Sequence, residues 1–158
     1  MDSTVLEQAM HQAEKYFKTA EDQDQIQVSM DSWKRIEALN PDALAYRLAH
    51  NGTLQGWALT IPTTRELMER FLAKQMSEKE LLLQTKPQDS YDALYLAAAF
   101  VLPECRRQGM ALELLKESIE KAPTLPGAKL FAWGYSEEGK ALAKKLGREI
   151  GQEILLRE

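Results

Sequence analysis

Cysteine is nearly absent from this chain: Cys105 is the only one in 158 residues. A single thiol excludes an intrachain disulfide framework and a cysteine-rich metal site. Histidine is almost as scarce. His11 and His50 stand far apart in sequence, so a histidine-based zinc site is not expected. No apolar run approaches the about 20 residues needed to cross a bilayer. Met1-Asp2-Ser3-Thr4 lacks the basic start of a secretory signal. An excess of positive charge is missing too. Lys and Arg total 20 against 24 Asp and Glu, a net charge of −4, which argues against a nucleic-acid role. Repeats, low-complexity tracts and linkers are not evident. What remains is a globular composition, 44% hydrophobic and 28% charged, read as one domain over residues 1–158 of a cytoplasmic protein.

The spacing of Leu6, Met10, Ala13 and Phe17 predicts an amphipathic helix over about 3–20. A polar loop follows at Glu21–Gln25. Ile26, Val28 and Met30 alternate like a short strand. Met30, Trp33, Ile36 and Leu39 equally make one face of a helix, capped near Asp31 or Ser32 and ended by Pro41. Asn51-Gly52 sits between strand-like runs 43–49 and 53–61, a hairpin signal because both turn positions need positive φ. Pro62 is expected to close the second strand. Residues 64–84 read as helix, and Tyr91–Leu102 as a buried central strand stopped by Pro103. Leu112, Leu115 and Ile119 then mark a helix, Pro123–Gly127 a loop and Lys129–Trp133 a strand. Ser136 with Glu137 and Glu138 starts a last helix that stops at Gly147, and a strand ends the chain. This order describes an α/β layer fold with a mixed sheet.

The chemistry concentrates in Val101-Leu102-Pro103-Glu104-Cys105-Arg106-Arg107-Gln108-Gly109-Met110-Ala111. A buried strand ends at a proline, a basic turn follows, and a glycine opens a helix. The first N–H groups of a helix lack internal partners and lie at the positive end of its dipole. Gly109 lets a ligand approach the backbone with no Cβ in the way. Taken alone, these residues read equally as a phosphate or pyrophosphate site and as an ordinary strand-to-helix connection with a solvated arginine pair.

The order Arg106-x-x-Gly109-x-Ala111 resembles the acyl-CoA signature Arg/Gln-x-x-Gly-x-Gly/Ala of the GNAT superfamily of N-acyltransferases. The resemblance is tight over about 94–120 and looser to 147. It implies a mixed, mostly antiparallel central sheet flanked by helices (α/β, α+β), with the hairpin 43–61 as the family's second and third strands. It implies acetyl-CoA or another acyl-CoA as co-substrate, and a short acyl group passed to a primary amine. By the same resemblance, Arg106 and the backbone from Arg107 through Gln108, Gly109 and Met110 to Ala111 hold the pyrophosphate. Pantetheine lies along Phe100, Val101 and Leu102, in a gap where strands 91–102 and 129–133 splay.

The chain departs from the family where a tyrosine often protonates the leaving thiolate. Ala143 stands there, Ser136 stands at the usual asparagine, and Arg148 replaces the aromatic after Gly147. Tyr95, Tyr135 and Ser136 remain as catalytic candidates, with Asp92 and Glu104 as candidate bases. Cys105 has no neighbouring histidine and reads as a structural thiol. Trp33, Trp57 and Trp133 read as core, and Met68 and Met76 as core or pocket wall. The missing tyrosine supports an alternative: an acyl-CoA-binding module that has lost turnover and serves as a sensor or scaffold. A helical interaction domain without cofactor is a third reading. Compared with the family the chain ends about one strand early, which leaves a sheet edge that a homodimer would cover.

Overall fold

The computed structural model describes residues 2–17, 22–106 and 108–158. The chain begins with two helices, α1 (Ser3–Phe17) and α2 (Met30–Leu39). The last residues expected in the first helix, 18–20, lie outside the described residues. Of the two readings of 26–39, the helix holds. It starts two or three residues earlier than expected, because the Ser29 side chain accepts from Ser32 N. A hairpin of β1 (Leu44–Leu48) and β2 (Leu54–Thr63) follows, but of the two expected turn positions only Gly52, at φ 86°, has positive φ, because the connection is longer than two residues, with Ala49 N donating to Thr53 O.

Residues 64–84 form two helices rather than one, α3 (Arg65–Leu72) and α4 (Glu78–Gln84). Lys74 adopts a left-handed φ of 62° just after the first. Ser77 and Glu80 then form a reciprocal capping box that restarts the chain as helix. The central strand β3 (Tyr91–Val101) is followed by a short 3₁₀ turn at Pro103–Cys105 and by α5 (Met110–Lys121). The chain closes with β4 (Thr124–Trp133), α6 (Glu137–Ile150) and β5 (Ile154–Arg157).

Three expected boundaries move. β2 runs through Pro62 to Thr63. Beyond Leu59 that strand has no pairing with β1, and at such an edge a proline without its N–H is tolerated. The Pro123–Gly127 loop is largely a bulge in β4, since Tyr91 pairs with Thr124 and Ala93 already with Lys129. Gly147 lies inside α6, which ends instead at Gly151 with φ 70°. Gly147 serves close packing: a Cβ there would come within 2.8 Å of Gln152 O.

The sheet has the order β1-β2-β3-β4-β5. The first two pairings are antiparallel and the last two parallel, so the sheet is mixed, as expected, with the longest ladder antiparallel. Consecutive side chains of β3 face opposite sides, as the pleat requires. Tyr95 enters a core with Trp33, Ile36, Phe71, Leu81 and Phe131 beneath α1–α4. Leu94 and Leu96 enter a second core with Leu114, Leu115, Leu130 and Leu146 beneath α5 and α6. The result is three layers, with β3 buried on both faces. No described helix is long and apolar enough to cross a membrane.

Candidate functional site

The two inner strands fork. β3 and β4 pair from Tyr91 to Leu96, whose partner is Ala132. Beyond that point β3 continues to Val101 beside β2, while β4 continues to Trp133 beside β5. The fork begins where β3 carries an extra residue: Leu59 pairs with Ala98 but Thr60 with Leu96, which leaves Ala97 as a bulge. A bulge bends its strand and raises the local twist. Ala97 and Ala98 consequently lean to the same core, and Ala99 to the other. Three alanines in succession also leave space that larger side chains would fill.

A cavity of about 770 Å³ occupies this gap. Its walls come from Ala97–Val101 of β3, from Ala132 and Trp133, and from the first turns of α5 and α6. Phe17 of α1 and Trp33 of α2 border it from the other layer. The backbone of β3 is polarised toward it. Leu102 N donates to Gln55 O on the β2 side. The carbonyl of the same planar peptide, Val101 O, therefore points to the gap. Alternation then turns the N–H and C=O groups of Ala99 and Val101 toward the gap as well.

At the open end of the fork lies the start of α5. Each of the other helices has a side-chain cap: Asp2, Ser29, Thr64, Ser77 and Ser136 accept from first-turn N–H groups. Among the described residues α5 has none, and its N-cap is Gly109 with φ 75° and ψ 11°. This left-handed conformation is the reason for glycine at that position. A Cβ on Gly109 would meet nothing within 4 Å, so the backbone faces open space. First-turn amides without a side-chain cap are the arrangement that suits an anion. Arg106 lies at the same end. Its Nε donates to Val101 O at 2.9 Å, and its guanidinium stands 5.8 Å from the Phe100 ring centroid.

The candidate residues thus divide. Phe100, Val101, Arg106, Gly109, Met110 and Ala111 border the cavity, whereas Leu102 and Gln108 do not. The Leu102 amide is already engaged with β2. Arg107 lies outside the described residues. Tyr135 and Ser136 are exposed at the cavity rim. The Tyr135 ring packs edge-on against Trp133, and the Ser136 hydroxyl accepts from Gly139 N as the α6 cap. Ala143 is 5% exposed and forms part of the wall, presenting a methyl group and no acid. Asp92 and Glu104 do not border the cavity. Asp92 accepts from Arg65 N at 2.8 Å instead. Cys105 is half-buried on the wall. Met68 and Met76 pack in the core, as do Trp33 and Trp57, while Trp133 is only partly buried.

Tyr95 carries the polar group that the sequence left hidden. Its ring is 1% exposed, and its hydroxyl donates to Glu78 Oε2 at 2.5 Å. Glu78 Oε1 accepts from Ile26 N at 2.8 Å. Both residues border the cavity. Burial holds the Glu78 carboxyl above its ordinary value, against the lowering effect of the Tyr95 and Ile26 hydrogen bonds. Burial, with the Glu78 charge behind it, pushes the Tyr95 hydroxyl well up. Nothing in the sequence marked Glu78, because an acidic residue in a first helical turn usually faces water.

Comparison with curated proteins and with solved structures returns no match. A family model does match, described as the acetyltransferase (GNAT) family, and it covers residues 6–147. That span takes in α1 from Leu6 onward, α2, the hairpin, the fork and all but the last turn of α6. The forked sheet, with a glycine-started helix at its open end, is therefore the frame of a protein that belongs to the acetyltransferase (GNAT) family.

Proposed function

We propose that the protein is an acyl-CoA-dependent N-acyltransferase that moves an acetyl or other short acyl group to a primary amine. The observation that carries this reading is the fork beyond Leu96 and Ala132, open toward a helix start that none of the described side chains caps. A pyrophosphate suits the N–H groups at Gly109, Met110 and Ala111, with Arg106 adding positive charge. Pantetheine suits the gap, where Ala99 and Val101 offer backbone donors and acceptors as to an added strand. Ala97–Val101, at about 3.3 Å per residue, provide roughly 16 Å of such edge. The thioester then lies at the closed end of the fork. There the protein orients amine and carbonyl, and a strand N–H stabilises the oxyanion. The whole described chain serves this one site, and a homodimer would cover the outer edge of β5.

Titration with acetyl-CoA tests the cofactor half of the reading. Heat of binding and a raised melting temperature are expected, since a ligand selective for the native state stabilises it. Neither effect at millimolar acetyl-CoA would overturn it. Thiol release with a panel of amines tests turnover. One observation favours a second reading, a CoA-binding module without catalysis: the buried methyl of Ala143 stands where an acid for the thiolate is usual. Heat with acetyl-CoA but no thiol release with any amine would select it.

A further inference from the structure

Glu78 is a buried carboxylate at the closed end of the fork. The residue is 9% exposed. Its partner Tyr95 directly precedes Leu96, the last β3 residue to face β4. Each carboxylate oxygen uses one lone pair, on Tyr95 Oη or on Ile26 N, and keeps a second. The other acidic residue on the described cavity wall is Glu138, exposed in the first turn of α6. The cavity wall carries Ile26, Val28, Trp33, Ile36 and Trp133, with the uncharged polar residues Gln25, Gln27, Ser29 and Ser32 among them. The charged or titratable groups that act on Glu78 are Tyr95, Asp22 and Arg157. Arg157 donates to Met76 O and stands over the Phe71 and Trp133 rings, and its charge favours the carboxylate form.

We propose that Glu78, steadied by Tyr95, is the acceptor subsite, and that the acceptor is a small primary amine on an apolar or aromatic body. The inference rests on the acyl-CoA reading, which brings the thioester to the same end of the fork. The ammonium gives one proton to the Glu78 carboxylate. The free amine attacks the thioester carbon, a C–N bond forms and the C–S bond breaks. The departing thiolate takes the surplus proton of the new amide nitrogen, and Glu78 returns its proton to water. A polyamine fits poorly, because among the described wall residues only the exposed Glu138 offers a second carboxylate for its further ammonium groups.

Two probes of equal shape test the charge. 2-Phenylethylamine and 2-phenylethanol are titrated by calorimetry into protein saturated with CoA. The wild type is expected to prefer the amine by at least about tenfold. Glu78→Gln is expected to bind both probes alike while its CoA affinity stays within about twofold, which a merely structural role would not produce. Tyr95→Phe, which leaves the carboxylate in place, should retain part of the preference. Spermidine should bind more weakly than 2-phenylethylamine. Equal binding of amine and alcohol by the wild type would overturn the proposal, as would an undiminished preference in Glu78→Gln. Absence of CoA binding would overturn the acyl-CoA reading instead. The amine-over-alcohol preference, measured then on the free protein, still decides the Glu78 subsite.

Discussion

The hydroxyls of Thr60 and Ser118 lie 2.7 Å apart, and both residues are fully buried. Ser118 also reaches the Ala43 carbonyl at 2.8 Å. A serine has one hydroxyl proton, which Ser118 gives to Ala43, so Thr60 is the donor between the two hydroxyls. This short chain ties α5 to β2 at the residue that follows the bulge register. It therefore joins the helix whose start faces the cavity to the irregularity from which the fork opens.

Ser118→Ala is expected to lower stability by about 1–3 kcal/mol, because it strands the buried Thr60 hydroxyl. The double variant Thr60→Val, Ser118→Ala removes both polar groups with little change of shape. It should be more stable than Ser118→Ala alone. Urea unfolding of the wild type, Ser118→Ala, Thr60→Val and the double variant measures the difference, and additive losses would show that the pair contributes no coupling.

Gly109 separates a backbone effect from a ligand effect. Gly109→Ala should lower apo stability by about 1–2 kcal/mol, since an L-residue is held at φ 75° there. No clash adds to this, as the Cβ would enter open space. Gly109→Glu carries the same backbone cost and puts a negative charge where a phosphate is proposed. Its acetyl-CoA affinity should fall at least about tenfold below that of Gly109→Ala, roughly 1.4 kcal/mol. Equal affinities in calorimetry would remove the pyrophosphate from this turn.

Two carboxylates should give stability slopes of opposite sign with pH. The Arg47 hydrogen bond holds Glu117 below its ordinary value of 4.5. Its contribution is therefore present above that value and lost as pH falls through the lowered one. The pair is about one-third exposed, so Glu117→Gln should cost only about 0.2–1 kcal/mol at neutral pH, with the gap closing in acid. Burial raises Glu78 instead. Its folded form binds a proton more readily than its unfolded form, so wild-type stability from this group falls as pH rises through the raised value. Glu78→Gln should flatten that fall. Chemical denaturation between pH 4 and 8 follows both, and parallel curves for wild type and Glu78→Gln would contradict the second.

Cys105→Ser should leave acyl transfer largely intact. The thiol is on the cavity wall, but its backbone N–H is what the turn uses, donating to Leu102 O at 2.8 Å. Thiol-release assays on the variant check this, and loss of turnover with CoA binding preserved would mean the thiol takes part in the chemistry.

Local patterns in the sequence determined most of the elements and one end of the site. Asn51-Gly52 specified the hairpin, the apolar run at 91–102 the buried strand, and Gly109 after a basic turn the helix start at the open end. Such signals are short-range: a turn, a cap or a glycine acts on its own neighbours. Ser77-x-x-Glu80 carries a helix start of the same kind, masked by the apolar spacing that runs on from Phe71 to Leu83. The closed end was decided by tertiary structure alone. Glu78, Tyr95 and Ile26 come from three separate segments, and their hydrogen bonds exist only once α4 is laid across the sheet. The fork likewise depends on pairing. Ala97 is an unremarkable residue in its strand, and becomes a bulge only because Leu59 and Thr60 in another strand face Ala98 and Leu96. Register and side-chain convergence are properties of two or more segments at once, which no pattern within one segment encodes.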